Sequence, residues 1–388
     1  MMTGLYPHQT GVQTNNKTQL RPTGLELGEI FKNAGYKTAY FGKWHVALEG
    51  QGGFETFVGR DARMNPEFAA AFLKQDHDRP FLAVASFLSP HEICEWSRRQ
   101  SLPGKELDPV PPLEERPPLR ENSEPPANET DIMTHMRKSY QAYTRLFPVG
   151  DYTEDDWRRL TWGYYRLIER SDRHVGVVMQ ALRESGEEEN TVVVFLSDHG
   201  DCHGAHRWNQ KTVFYDESAR VPFIVSQKGR TRQGASDVLV NTGVDVIPTL
   251  CDFAGITPSP HLPGRSLKAP ALGKAMADPR EFVVTQNHMV QCAEVDGKHL
   301  RPHGRMVRSE RYKYCLYSEG KRRESLVDMV NDPGEMVNLA DHPDYRDVLI
   351  KHRACLKEHA RQYEDETALR MLESVRVSNE GIARGAHA

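Results

Sequence analysis

Apolar residues recur with two different spacings in the first part of the chain. Residues 24–36 place apolar side chains three or four positions apart and predict an amphipathic helix, with Gly35 as its C-terminal stop. The stretch 37–44 is rich in β-forming residues and predicts a strand. Residues 80–88 form a continuous apolar run between breakers, which predicts a strand buried on both faces.

The same two spacings continue through most of the chain. A long helix is predicted at 155–184, strands at 191–196 and 221–226, and a further helix at 244–254. Residues 101–131 are crowded with prolines and charges, which predicts a long loop or lid. Strands that alternate with helices predict an α/β fold whose mostly parallel sheet is flanked by helices on both faces.

A different pattern follows Pro279. Short apolar runs such as EFVVTQNHM and GRMVRSERYKYCLYSE predict antiparallel strands, and a charged helix is predicted at 345–363. A chain of 388 residues is also too long for one simple core. We therefore predict a larger domain over residues 1–278 and a smaller C-terminal α+β domain with an antiparallel sheet over 279–388.

The composition argues against some partners. The net charge is −4, from 50 basic and 54 acidic side chains, so nothing calls for nucleic acid or an anionic membrane as the main partner. No apolar run approaches the length that spans a bilayer. The six cysteines are scattered and are expected to be free thiols. An anionic substrate would therefore need a local cluster of cations.

Chemically active side chains stand directly after the predicted strands. Ligands of parallel sheets bind beyond the carboxyl ends of the strands, which is where Lys43, His45, His91, Asp198 and His199 fall. Lys43 can bind an oxyanion as a point charge, and His45 can move protons near neutral pH. The plainer alternatives are a surface lysine beside a structural histidine, and a hydrogen-bonded loop histidine at His91.

The turn after 191–196 has the composition of a metal site. A carboxylate at Asp198 beside a second ligand at His199 suits a divalent cation at a strand end. A zinc site is an alternative, although histidines this close in one loop fit the usual paired spacing poorly; its ligands would be Cys202, His203 and His206.

Lys211 adds a second cation a short loop after this turn. Its ammonium can reach an anion bound at the metal, and the alternative is a solvated lysine. Together with Lys43, the histidines and the metal carboxylate, it predicts one site for a tetrahedral oxyanion such as a sulfate or phosphate ester. The cations would neutralise the transferring group, and the metal would polarise it.

The ordered set of motifs resembles the sulfatase family of the alkaline phosphatase superfamily. TGLYPHQTGV resembles the stretch after the family's Cys/Ser-x-Pro-x-Arg signature. Five further segments resemble blocks of the family and follow in the family's order. They are GYKTAYFGKWH, FLSPH, SDHGD, HGAHRWNQKTVFYDESARVPFIV and GRMVRSERYKY…LVDMVNDPGEMVNLA. GKWH alone is short, but the ordered set spans nearly the whole chain and is highly specific. The resemblance implies an alkaline-phosphatase-like fold and a sulfuric-ester hydrolase.

The resemblance also implies roles for single residues. Lys43 resembles the family lysine that contacts both the sulfate and the nucleophile, and Lys211 resembles the second sulfate-binding lysine. His45 resembles the histidine that supports the nucleophile and helps to break the covalent intermediate. His91 resembles a histidine near the leaving-group oxygen, which makes it a candidate general acid.

Compared with the family that it resembles, the sequence lacks part of the metal site and the nucleophile. Asp198 resembles a calcium ligand, and His199 stands where many members have asparagine, so the two are expected to hold one Ca²⁺ in an incomplete site. The family nucleophile is a formylglycine made from the Cys or Ser of the signature. No cysteine here is followed by x-Pro, and Ser123-Glu124-Pro125 lacks the arginine. That block and the first metal-binding strand are expected upstream of Thr3, so the printed chain is expected to fold poorly alone and to lack ordinary turnover.

Three interpretations remain open. The chain is a sulfatase whose sequence was cut short, a non-catalytic remnant that binds sulfated ligands, or a phosphate or phosphonate ester hydrolase of the same superfamily. The expected substrate is a sulfated carbohydrate or an aryl sulfate, with residues 91–96 and 287–308 as contacts or as ordinary loop packing. A periplasmic or secreted location is expected from the resemblance alone, and nothing indicates an oligomeric state.

Overall fold

The computed structural model describes residues 1–15, 20, 22–46 and 48–385. Its strands are β1 Lys37–Gly42, β2 Thr56–Val58, β3 Phe81–Ser86, β4 Val193–Leu196, β5 Phe223–Ser226, β6 Phe282–His288, β7 His303–Ser309, β8 Tyr312–Tyr317 and β9 Glu324–Asp328. Its α-helices are α1 Pro7–Thr10, α2 Leu27–Asn33, α3 Glu67–Leu73, α4 Ile93–Ser97, α5 Asp131–Ala142, α6 Glu154–Glu184, α7 Asp216–Ala219, α8 Thr242–Ala254, α9 Lys268–Ala271, α10 Arg346–Gln362 and α11 Glu366–Gly385.

The predicted mixed α/β fold is confirmed. Strands β2, β1 and β3 form a parallel sheet in that order, while β4 and β5 form a separate antiparallel pair. The prediction that residues 80–88 form a strand buried on both faces is wrong in part. In the described residues Ala85 on β3 is exposed, and Phe195 on β4 and Ile224 on β5 are 40% and 55% exposed. Strands β3 and β4 also each pair on one side only within the described residues.

Helices cover both faces of the parallel sheet, as predicted. The alternation of a strand sends Ala39 and Phe41 to one face, where they pack against α3 and the C-terminal end of α6. Tyr40 points to the other face and packs against α2 and α8. Helix α6 begins with a capping box between Thr153 and Asp156. These helices fix the strand ends that carry the candidate residues.

The antiparallel sheet of the C-terminal region has the order β6-β7-β8-β9. One face packs on α10 and α11 through an apolar cluster that includes Val307, Tyr314 and Leu326. The other face joins α5 and the loop before α7 through Met306 and Tyr317. A division of the chain between residues 278 and 279 stays a prediction.

Two further expectations concern loops and membranes. Residues 101–130 contain little regular structure apart from a short 3₁₀ turn at Leu113–Glu115, which confirms the predicted loop. Among the described residues, no helix combines the length and the apolar character required to cross a membrane.

Candidate active site

Lys43 stands where β1 leaves the sheet. Gly42 has a φ of 115°, and a Cβ there would lie 1.8 Å from the carbonyl oxygen of Ser86, so only glycine fits. The amide of Lys43 donates to the Ser86 carbonyl at 2.7 Å, and its own carbonyl accepts from the Ser86 hydroxyl at 3.0 Å. The backbone of Lys43 is therefore locked to β3. Its ammonium has no hydrogen bond or ion pair with any described residue.

His91 occupies the turn after β3. Its amide donates to the Leu88 carbonyl at 2.9 Å, which holds the turn closed. The next residue, Glu92, is fully buried, accepts from the Ser89 hydroxyl at 2.7 Å and lies 3.4 Å from a guanidinium nitrogen of Arg170. No sequence pattern indicated Arg170, which lies on α6, although an acidic residue inside an apolar turn is a signal for a buried partner.

Asp198 and His199 follow β4, as predicted. Gly200 is required there because a Cβ would lie 2.0 Å from the Glu217 carbonyl oxygen. His199 Nδ1 lies 2.8 Å from the Gly200 carbonyl oxygen, so Nδ1 carries the proton of the neutral ring and Nε2 keeps a lone pair. Nε2 lies 3.5 Å from Oδ2 of Asp198. Two acceptors at this distance could both contact one cation that lies beside them.

The donor set falls short of a complete metal site. The described residues contain no group of three or more His, Cys, Asp or Glu side chains able to hold a metal ion. Calcium takes six to eight oxygen ligands. Asp198 and His199 alone do not make a complete calcium site, and their role as metal ligands stays a prediction.

Lys211 ends a loop that folds back on itself after this turn. The amide of Cys202 donates to the Gln210 carbonyl at 2.8 Å, and the buried ring of Trp208 packs edge-on against Tyr140 at 5.2 Å. Like that of Lys43, the ammonium of Lys211 has no hydrogen bond or ion pair within the described part of the chain.

The charges show that these residues share one region. Burial, followed by Lys211 and Lys43, lowers the pKa of His91 to about 3, while Asp198 opposes the shift. Burial also lowers the pKa of Lys43, which Asp198 raises and Lys211 lowers. Interactions of this kind are screened beyond about 10 Å. The structure therefore brings four predicted residues, Lys43, His91, Asp198 and Lys211, into electrostatic range of one another.

The two metal-type residues belong to the same group. Burial would raise the pKa of Asp198, but His199, Lys43 and the hydrogen bond from the His199 amide lower it below the ordinary value overall. Burial lowers the pKa of His199, and Lys211 and Lys43 act in the same direction against Asp198. The Asp198 side chain is 54% exposed, so solvent screens these effects and leaves room for a ligand.

His45 stands apart from this group in the described structure. It lies two residues beyond Lys43 and is exposed, and its ring makes no hydrogen bond or ion pair with the described residues. Its role as a catalytic residue stays a prediction.

The three residues that could form a zinc site, Cys202, His203 and His206, contact other groups instead. Cys202 is buried in an apolar cluster, and burial raises the pKa of its thiol, which disfavours the thiolate that zinc needs. A ring nitrogen of His203 lies 3.2 Å from the Arg120 guanidinium, and one of His206 lies 3.4 Å from the Asn122 amide.

A second Ser-x-Pro lies in the long loop, at Ser101-Leu102-Pro103. Lys105 stands where the resembled signature has arginine. The Lys105 carbonyl accepts a hydrogen bond from Arg170. Like Ser123-Glu124-Pro125, this segment lacks the arginine of the signature.

Comparisons with family models cover most of the chain. The model described as Sulfatase matches residues 1–256. The model described as N-sulphoglucosamine sulphohydrolase, C-terminal, matches residues 204–362.

The chain is also similar to curated sulfatases and to a solved sulfatase structure. The chain is 30% identical over 393 residues to a Delta 4,5-hexuronate-2-O-sulfatase of Bacteroides thetaiotaomicron, covering 94% of this chain and 78% of the relative. It is 28% identical to an ulvan-active sulfatase of Formosa agariphila, covering 94% and 71%. A solved 2-O GAG sulfatase aligns with a TM-score of 0.81 at 29% identity, covering 94% and 81%. A phosphonate monoester hydrolase from Silicibacter pomeroyi, with a TM-score of 0.71 at 17% identity over 94% and 85%, shares the fold.

Proposed function

Because the chain belongs to the sulfatase family of sulfuric-ester hydrolases, we propose that its site acts on a sulfate ester of a carbohydrate through Lys43, His91 and Lys211. The observation that carries the proposal is the pair of ammonium groups without partners in the described residues, set beside a histidine whose pKa they depress. Unpaired cations that act on one region form a ready site for an anion.

In this proposal Lys43 and Lys211 bind the sulfate group. Each ammonium can donate to a sulfate oxygen, and the two together offset charge on the transferring group as the ester bond breaks. Because the backbone of Lys43 is hydrogen-bonded to β3, the backbone needs little reorganisation when the ester binds.

His91 is proposed to serve the leaving-group oxygen. In the free protein its pKa of about 3 keeps the ring neutral at ordinary pH, chiefly because of burial and then because of the two lysines. A bound sulfate ester would offset the lysine charges and so raise the pKa of His91 toward its ordinary value. The ring would then be better able to donate a proton to the departing alcohol.

Asp198 and His199 are proposed to contribute to a Ca²⁺ site, and His45 to assist proton transfer. Bound calcium would supply charge that polarises the sulfate group. A formylglycine is the proposed nucleophile by family resemblance, and the printed sequence contains no Cys/Ser-x-Pro-x-Arg from which to make it. Binding of the sulfate ester therefore has to be measured as well as turnover.

The relatives suggest the class of carbohydrate. One acts, by its name, on a Delta 4,5-hexuronate 2-O-sulfate, and a solved structural neighbour is a 2-O GAG sulfatase. We propose a 2-O-sulfated, unsaturated uronate at the non-reducing end of a glycan fragment as the substrate. The small net charge of −4 agrees with a substrate held by a local cluster of cations.

The test is calorimetric titration with a matched pair of unsaturated disaccharides, one 2-O-sulfated and one desulfated, in buffer with calcium. We expect the sulfated sugar to bind at least tenfold more tightly, because each charge-assisted hydrogen bond contributes about 1.5–3 kcal/mol. Equal affinity for both sugars would overturn the proposal. Stronger binding of a matched phosphate ester would favour the phosphate-hydrolase interpretation.

A further inference from the structure

The loop that carries Lys211 is closed by one carboxylate oxygen and one backbone hydrogen bond. Oδ1 of Asp201 accepts the amide of His203 at 2.8 Å and the amide of Gln210 at 3.1 Å. The Cys202 amide donates to the Gln210 carbonyl at 2.8 Å. The start and the end of the loop are thus joined directly before Lys211, and no residue that is proposed to bind substrate or metal takes part in this closure.

The same loop contains an unusual share of left-handed backbone. The φ angles are 30° at His203, 51° at His206, 59° at Arg207, 63° at Gln210 and 106° at Thr212. Residues with a side chain adopt this region at a cost, and they keep it only where surrounding contacts impose it. Two of these five residues are held by Asp201 itself, so the carboxylate is one of the contacts that impose the shape.

The surroundings of Asp201 allow its carboxylate to hold this shape. Its side chain is buried, and a buried carboxylate is retained when hydrogen bonds compensate its desolvation. Burial raises the pKa of Asp201 to about 6, while the two amides and the charge of Lys211 lower it. The effect of Lys211 on this pKa shows that its ammonium lies within electrostatic range of the closure.

We infer that Asp201 is a positioning residue for sulfate binding, which it serves by fixing the loop that presents the Lys211 ammonium to the anion. The inference rests on the proposed function, because it requires Lys211 to bind the sulfate group. Asp201 does not itself touch the substrate, and its whole effect on binding passes through Lys211.

A double-mutant cycle separates this role from a general loss of structure. Binding of the 2-O-sulfated disaccharide is measured for the native chain, Asp201→Ala, Lys211→Ala and the double variant. We expect Asp201→Ala to weaken binding about tenfold in the native background and to have no further effect once Lys211 is absent. Lys43→Ala serves as the matched control, because Lys43 is held by β3, and there the effect of Asp201→Ala should persist in full.

Asp201→Asn keeps an oxygen acceptor for both amides and provides the conservative variant. We expect it to retain most of the binding, and we expect hydrogen exchange of residues 203–211 to rise in Asp201→Ala but little in Asp201→Asn. If Asp201→Ala does not fold, the same cycle is run with Asp201→Asn, whose smaller loss must again vanish in the Lys211→Ala background.

Two results would overturn the inference while leaving the proposed function intact. One is equal weakening by Asp201→Ala with and without Lys211, which indicates general disorder, and the other is no weakening at all. A Lys211→Ala variant that binds as well as the native chain would instead overturn the assigned role of Lys211 and, with it, this inference.

Discussion

The lysines of the candidate site and the buried lysine of the C-terminal sheet are the same residue type in opposite circumstances. Lys313 on β8 is 1% exposed, donates to the Phe214 carbonyl at 2.9 Å, and contacts the carboxylates of Glu335 and Asp216. Lys43 and Lys211 have no such partners in the described chain. A buried cation is tolerated when it is paired, whereas a half-buried cation without a partner keeps its donors free for a ligand.

The pKa values of Lys313 and Lys43 shift in opposite directions, as their different partners lead us to expect. Burial pushes the pKa of Lys313 down, but Glu335 and Asp216 more than offset burial, and the net pKa is raised. Burial also pushes the pKa of Lys43 down, and there Asp198 only partly opposes it, so the net pKa is lowered. The pairing of Lys313 therefore stabilises the fold, whereas we propose that Lys43 is stabilised by the anion that binds to it.

The largest expected effect is on stability at Lys313. Lys313→Ala removes the partner of Glu335, whose side chain is buried, and should lower the free energy of unfolding by about 3–5 kcal/mol. Urea denaturation followed by circular dichroism measures this loss. Lys211→Ala is the matched control and should change the free energy of unfolding by about 0.5 kcal/mol or less. Equal losses in the two variants would contradict the division into structural and ligand-binding lysines.

The next effect is on ligand binding. Lys43→Ala and Lys211→Ala should each weaken the affinity for the 2-O-sulfated disaccharide by about ten- to a hundredfold, because each removes a charge-assisted hydrogen bond. Lys228 lies on the surface and is paired with Glu188, so Lys228→Ala serves as the control and should bind like the native chain. A loss no greater than that of Lys228→Ala would remove the basis for the sulfate site.

A smaller effect is expected in the pH dependence of binding. The pKa of His91 is about 3 in the free protein, and a bound anion should raise it toward its ordinary value of about 6.5. A group whose pKa is higher in the complex takes up protons on binding, so the affinity should rise as pH falls through the raised pKa of His91 in the complex toward its value of about 3 in the free protein. Calorimetry in buffers of different ionisation enthalpy measures the proton uptake. His91→Asn should abolish it, and unchanged uptake in that variant would point to another titrating group.

The smallest effect concerns calcium. Asp198 and His199 supply only two ligands within the described residues, so binding should be weak, at about millimolar concentration. Calcium at about 10 mM should then raise the unfolding midpoint by one or two degrees, and Asp198→Asn should remove the rise. A calcium effect that persists in Asp198→Asn would place the ion elsewhere.

Much of the fold and of the candidate site could be predicted from the sequence because local patterns report local structure. The 37–44 and 80–88 runs predicted β1 and β3, and the rule that ligands lie beyond strand ends was enough to group Lys43, His91 and Asp198. The exact bounds differed by a few residues, since strand ends depend on neighbouring strands.

What could not be predicted depends on contacts between distant segments. The Glu92–Arg170 pair joins residues 78 positions apart, and the edges that β3 and β4 leave unpaired within the described residues depend on which strands lie side by side. The closure of the Lys211 loop by Asp201 requires left-handed backbone at residues that rarely adopt it. Nothing in the amino-acid composition of the loop predicts this conformation.

The central claim is that Lys43 and Lys211 together hold the sulfate group. The most direct measurement is a crystal structure of the protein with the 2-O-sulfated disaccharide bound. We expect sulfate oxygens within about 3 Å of both ammonium nitrogens, with His91 beside the ester oxygen. A sulfate group bound away from both lysines, or lysines that turn to carboxylates of the protein while the sugar is bound, would contradict the claim.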